Sequence, residues 1–278
     1  MINYKSVLSL AIGITVFGVL SLNACKNAKS EKNENATNEK LSKAAPVIAT
    51  VSSTNASATK TQLDKAKKAK KTVFLVVTGK GAKTETITKI ANDASKQVKQ
   101  SMVIQMNRDD AANAALVKEL QVSGAPIPLV LVIANNGLTV MGFVEQDASV
   151  TKLVDAVPSP KMLEVMTALK DGKTLFIIAY KSTAKDKKQV NTNCLKACAD
   201  VKTAVTIEIN IEDKVEAKFL KQLGIDMTKS ITTLVVNPSG QITGTYTGIP
   251  DATKLIADAK KVVKSGCGSG SSCGSTCK

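Results

Sequence analysis

MNRDDAANAALVKELQVSGAP, residues 106–126, runs from an apolar strand end through an Asn-x-Asp sequence and a short helical pattern into a Gly/Pro loop. The chain repeats it. VIQMNRDDAANAALVKELQV (103–122) returns as TIEINIEDKVEAKFLKQLGI (206–225), KTVFLVV (71–77) as KTLFIIA (173–179), and TKLV (151–154) as TKLI (253–256), each time 102 or 103 residues further on. An offset held over several elements predicts two domains of roughly a hundred residues, an ordinary domain size. We place them at 59–158 and 159–264.

Each unit reads in one order. A helix (61–70; 161–169) leads into an apolar strand (73–77; 175–179). A second helix follows, with Ile87, Ile90, Ala91, Ala94 and Val98 on one face of a 3.6-residue period. Then come a second strand (102–106; 205–209), a third helix, a hairpin and a last helix (149–156; 252–263). The hairpins turn at Asn136-Gly137 and between Asn237 and Gly240, both strong turn signals. The order is αβαβαββα.

That order, and the passage from a central strand through an Asn-x-Asp turn and a helix to a proline loop, resembles the thioredoxin family. The resemblance covers about residues 59–264, twice over. It implies an α/β fold of two tandem thioredoxin-like domains, each a three-layer α/β/α sandwich with a mixed central sheet. It also implies a cis-proline at Pro126, with Pro128 as competitor because GAPIPLVLV is longer than the usual spacing. In the second unit residues 229–232 fill that region without a proline.

The family keeps a Cys-x-x-Cys at the start of the helix after its inner strand, where the helix dipole and free N–H groups lower a thiol's pKa. Here those positions read TGKGAKTET (78–86) and YKSTAKDKK (180–188), with no cysteine in either. The resemblance therefore implies the fold without the redox chemistry.

Other constellations yield bland readings. TGKGAKT lacks both glycines of a phosphate loop, since Val77 and Ala82 stand at those positions. Asp109-Asp110 and Glu212-Asp213 read as turn and helix N-cap carboxylates. Cys194 and Cys198 have two readings. Cys194 falls opposite Ala91, so both are small buried hydrophobes in mid-helix; or the helix starts at Asn193, which puts Cys194 in its first turn as a possible redox thiol.

The ends of the chain carry the remaining signals. Residues 1–24 have one early lysine and then an apolar run too short to span a membrane, the layout of an export signal. Leu22-Asn23-Ala24-Cys25 resembles the lipobox of bacterial lipoproteins, which implies a diacylated Cys25 and a lipid-anchored protein of the bacterial cell envelope, facing periplasm or exterior. Residues 25–58, rich in Lys, Asn, Glu, Ser and Thr, read as a disordered tether. The tail, 265–278, is SGCGSGSSCGSTCK, whose Cys267, Cys273 and Cys277 have no core to pack into. With no histidine in the chain, such thiolates suit Cu(I), or Zn with an open position; the equal alternative in an oxidising envelope is plain disulfides, such as Cys273 to Cys277 with Cys267 left for an intermolecular bond.

The formal net charge is +15, yet of 38 basic residues only Arg108 is an arginine, and aromatics are 3%. Bidentate readout and base stacking are thus nearly unsupported, which argues against nucleic acid as a partner. The sequence predicts an envelope binding or scaffold protein with a membrane partner through its anchor and a thiol tail for a soft metal or an envelope protein. The alternatives are a thiol-disulfide oxidoreductase working through Cys194 and Cys198 or the tail cysteines, and a thiol-independent peptide-binding adaptor.

Overall fold

The computed structural model describes residues 57–261. The expectations for residues 1–24, Cys25, most of the tether and the tail cysteines lie outside the described residues. Among those described, no helix is long and apolar enough to cross a membrane.

Domain 1 runs α1 (Ala58–Lys68), β1 (Thr72–Thr78), α2 (Glu85–Gln97), β2 (Ser101–Asn107), α3 (Ala114–Glu119), β3 (Leu129–Ile133), β4 (Thr139–Val144) and α4 (Val150–Asp155). Domain 2 repeats this with α5 (Pro160–Lys170), β5 (Thr174–Tyr180), α6 (Lys187–Asp200), β6 (Ala204–Asn210), α7 (Ala217–Gln222), β7 (Ile231–Val236), β8 (Ile242–Thr247) and α8 (Ala252–Ala259). The expected order is present in both. The third helix of domain 1 begins as a 3-10 turn at Ala111–Asn113, and α8 stops short of the expected residue 263.

The sheets have the orders β2-β1-β3-β4 and β6-β5-β7-β8. In each, the first two strands of the domain pair in parallel and the hairpin pairs antiparallel. Helices on both faces explain why β1, β3 and β5 read as apolar runs, their residues being buried on either side, and why β7 is buried throughout although it carries Thr232 and Thr233. In domain 1 one layer joins Leu75, Val77 and Met106 to Ala66, Leu116 and Val117 of α1 and α3. The other joins Phe74, Val76 and Val130 to Ile87, Ala91 and Leu153 of α2 and α4. Domain 2 has the same two layers.

Local chemistry sets the helix ends. Ser57, Ser149, Ser159 and Asp251 accept from free amides of the first turns of α1, α4, α5 and α8, and Pro160 follows its cap with a ring that suits a first helical position. Both hairpins close on a glycine in the left-handed region, Gly137 (φ 87°) and Gly240 (φ 77°), with Asn136 and Asn237 bonding the backbone of the turn.

The cis peptide is Ile127-Pro128, so Pro128 and not Pro126 holds the position expected of the cis-proline. Pro126 is exposed in the loop, whereas Pro128 directly precedes β3. The strand registers place Ile231 where domain 1 has Pro128. Ile231 lets β7 start there and pair with Tyr180, one residue beyond the pairing in domain 1, where Pro128 offers no N–H.

Candidate functional site

The corner of interest lies at the C-terminal ends of β1 and β2, where the strand-to-helix loop, the turn after β2 and the loop before β3 meet. In domain 1 the Lys80 amide donates to Asp109 Oδ2 at 2.6 Å. A Cβ on Gly79 would stand 2.7 Å from that same oxygen and 2.7 Å from Ile127 Cδ1, so any side chain there would push both aside. Arg108 completes the junction. Its guanidinium donates to the carbonyls of Val122 and Ala125, and its Nε lies 3.9 Å from Asp109 Oδ1. Three segments distant in sequence are thus bound together by two adjacent side chains.

Domain 2 builds half of this. The Ser182 amide donates to Glu212 Oε2 at 2.9 Å, and the hydrogen bonds from Ser182 hold the Glu212 carboxyl below its usual range. Asn210 Nδ2 adds a bond to Ser182 Oγ at 3.1 Å. Where domain 1 has Arg108, however, domain 2 has Ile211, buried in the core. Its loop is held instead by the Lys181 amide on the Ser230 carbonyl and by Asp226, which bonds Thr228 and is lowered by it. Lys187, at the start of α6, lies 3.7 Å over the Tyr180 ring and 2.8 Å from Glu208.

The paired carboxylates therefore divide. Asp110 and Asp213 bond the amides of Ala112 and Val215, the local turn and cap role expected of them. Asp109 and Glu212 do something different: they reach 29 and 30 residues back to tie down the strand-to-helix loop. Sequence reading missed this role and that of Arg108. The available signal was the recurrence of an acid at the same repeat position beside the chain's single arginine.

Cys194 sits in the middle of α6, which begins at Lys187; Asn193 is an interior residue whose side chain donates to the Pro250 carbonyl at 2.8 Å. The first-turn placement is thus not what α6 adopts. Cys194 is fully buried with Phe176 and Val190, and burial, with Cys198 nearby, pushes its thiol up to about 12. Cys198 is half-buried, its Sγ 3.5 Å from Thr206 Oγ1, and both thiols are free. A thiol so far from ionisation is a poor nucleophile at neutral pH. Among the described residues there is no group of three or more metal-ligating side chains. Cys25, Cys267, Cys273 and Cys277 lie outside them.

No protein-family model matches the chain, and no curated protein sequence matches it significantly. Solved structures do. The zinc-bound form of human ERp44 is similar at 14% identity over 72% of this chain and 56% of that one, with a TM-score of 0.32. The first two thioredoxin domains of Saccharomyces cerevisiae Eps1p are similar at 10% identity over 72% and 96%, with a TM-score of 0.25. Mitochondrial thioredoxin 3 of the same yeast is similar at 17% identity over 35% and 87%, with a TM-score of 0.29. The strand orders and the helices on both faces of each sheet make this chain two tandem thioredoxin-like domains.

Proposed function

We propose that the chain is a membrane-anchored binding or scaffold protein of the bacterial cell envelope, with thioredoxin-like domains that do not exchange disulfides and tail cysteines that capture a soft metal ion. The observation that carries this reading is the pair of sealed corners. Where the resembled family keeps its thiols, each domain has a sulfur-free loop whose amide is bonded to a carboxylate, Asp109 or Glu212. Cys25 supplies the anchor in this reading. Cys267, Cys273 and Cys277, on a Gly/Ser chain, can converge on Cu(I), or on Zn with an open position.

The test uses the intact chain, fully reduced. It is expected not to reduce a protein disulfide; rapid reduction that disappears in Cys194→Ser would overturn the non-catalytic reading. Cu(I) titration against a competing chelator is expected to lose a site in the Cys267→Ser/Cys273→Ser/Cys277→Ser variant. Unchanged stoichiometry and affinity there would remove the metal role. After a salt wash, Cys25→Ala is expected to leave the membrane fraction.

A further inference from the structure

One end of domain 1 concentrates positive charge that domain 2 does not. Lys65, Lys67 and Lys68 on the last turns of α1, Lys70 and Lys71 in the turn into β1, and Lys99 between α2 and β2 all stand exposed. The parallel pairing of β1 with β2 brings them to the same end, with Thr72 opposite Ser101 and its amide bonded to the Gln100 carbonyl at 2.9 Å. Of the acids on these helices, Asp64 is engaged by Lys60 and Asp93 by Lys89 and Lys96, and Glu85 lies at the opposite end of α2; Glu119 of α3 lines a groove with Lys67 and Lys71 and is the acid beside this surface. Among the described residues none of the six lysines forms a salt bridge.

The repeat supplies the contrast. The equivalent positions in domain 2 are Thr167, Leu169, Lys170, Gly172, Lys173 and Lys202, and Asp171 lies 3.9 Å from Lys173. Lys70 is the informative member. It has φ 51°, a left-handed conformation that disfavours any residue with a Cβ, where its counterpart is Gly172 at φ 69°. Domain 1 places a charge at a position whose backbone favours glycine.

We propose that this end of domain 1 is an electrostatic docking surface for an anionic lipid bilayer. Lysines are compact point charges without the planar fork of arginine, which suits a diffuse field of phosphate headgroups better than one shaped anion. Clusters of this size are attracted to acidic membranes with a strength that fades within a Debye length. No aromatic residue stands within 65–71 to stack a base, which sets this surface apart from a nucleic-acid site. Geometry permits the contact: the tether enters at the other end of the 11-residue α1, and the roughly 30 residues between Cys25 and Ser57 could span about 100 Å when extended. The inference rests on the envelope reading for its physiological setting, but the surface acts without the anchor.

The experiment is lysine acetylation of the intact chain, read lysine by lysine by mass spectrometry. It compares phosphatidylcholine vesicles with vesicles containing one third phosphatidylglycerol, in wild type and in Cys25→Ala. Several-fold protection of Lys65, Lys67, Lys68, Lys70, Lys71 and Lys99 is expected only with phosphatidylglycerol, lost in high salt, and present in both chains. Protection spread evenly over domain 2, or none at these lysines, overturns the surface whether or not the chain is anchored. Protection in Cys25→Ala together with failed anchoring of the wild type would leave this inference standing and remove the anchor. Replacing Lys65, Lys67, Lys68, Lys70 and Lys71 by Gln is expected to weaken vesicle binding at least tenfold. The same change at Lys185, Lys188, Lys196, Lys214 and Lys221 is expected to leave it within about twofold; equal losses would reduce the effect to net charge. Adding inorganic phosphate at millimolar concentration should not protect, and protection by it would reassign the surface to free anions.

Discussion

Between the last strand and the last helix, the two domains fill the same space with opposite chemistry. Domain 1 uses apolar side chains: Met141 and Phe143 on β4 and Ala156 at the end of α4, with Phe143 and Ala156 packed into the core layer. At the equivalent positions domain 2 has Gly244, Tyr246 and Asp258. Asp258 is buried, accepts from the Tyr246 hydroxyl and pairs with Lys261, and Gly244 makes room for it. Burial and this carboxylate push the Tyr246 phenol up to about 12. The fold thus specifies a volume here and not a chemistry, provided that a buried charge is partnered, as Asp258 is by Tyr246 and Lys261. The corner differs in the same manner, with Arg108 in domain 1 against Ile211 in domain 2.

The largest expected effect comes from mixing the two solutions. A Cβ on Gly244 would collide with Asp258 Oδ2, so Gly244→Met forces the carboxylate out of its bonds. We expect a loss of about 3 kcal/mol in domain 2, the upper part of the range for overpacking. Adding Tyr246→Phe and Asp258→Ala makes the site that of domain 1, and the triple variant is expected to recover to within about 1 kcal/mol of wild type, because a network replaced whole costs less than one broken. Urea unfolding, followed by hydrogen exchange of β5 peptides, reads this in domain 2 alone. A triple variant no better than Gly244→Met would sink the idea of interchangeable solutions.

Next in size is the corner. Arg108→Ala removes the donors to the carbonyls of Val122 and Ala125 and is expected to destabilise domain 1 by about 2 kcal/mol, most of it from groups left without partners. Arg108→Lys is expected to restore only part, because both bonds come from Nη1 at the end of a guanidinium that the lysine stem does not match in reach or in its fixed plane. Exchange should rise first in β3, with β7 unchanged. Equal rises in both domains would mean that Arg108 supports the whole chain and not one corner.

A smaller effect separates Cys194 from its counterpart Ala91. Cys194→Ala is expected to cost about 1 kcal/mol at neutral pH, the value of one small buried group. The two residues also differ in their response to pH. The Cys194 thiol rises from an ordinary 9.0 to about 12 on folding, so the protonated form is favoured in the native state. That contribution is complete below pH 9 and is lost as pH climbs from 9 towards 12. Tyr246 titrates in the same direction, so the difference between wild type and Cys194→Ala isolates the thiol. Denaturant midpoints should meet about one pH unit above 9 and then cross, leaving wild type the less stable chain; parallel curves would show that Cys194 is not held protonated.

Much of this architecture was legible from the repeat. The constant offset gave the number of domains, and the unbroken apolar runs of β1 and β5 marked the central strands. What escaped were side chains acting across the fold. Asp109 and Glu212 look like local turn residues because they sit beside Asp110 and Asp213, which are; only the folded chain brings them to amides 29 and 30 residues away. Gly244 is meaningless until Asp258 is placed beneath it. Pro126 and Pro128 could not be separated by spacing, because the decisive fact is which of them adjoins the paired strand. In each case local propensity describes the residue correctly and long-range pairing gives it its role.

The smallest expected effect joins stability to the lysine-rich end. Lys70 and Gly172 are counterparts in the left-handed region, at φ 51° and φ 69°. A side chain there costs energy that glycine avoids, partly offset by the greater freedom of glycine in the unfolded chain. Lys70→Gly is therefore expected to stabilise domain 1 by about 0.5 kcal/mol, and Gly172→Lys to destabilise domain 2 by a similar amount. Gln121, at φ 56° opposite Gly224, provides an independent copy of the same exchange without a charge. If Gln121→Gly stabilises and Lys70→Gly does not, the long stem of Lys70 gains contacts that cancel its backbone cost, and the position is one of packing. If both stabilise equally, domain 1 keeps Lys70 at a cost with no return in folding. Reduced vesicle protection of Lys68 and Lys71 in Lys70→Gly would then identify the return as the charge itself.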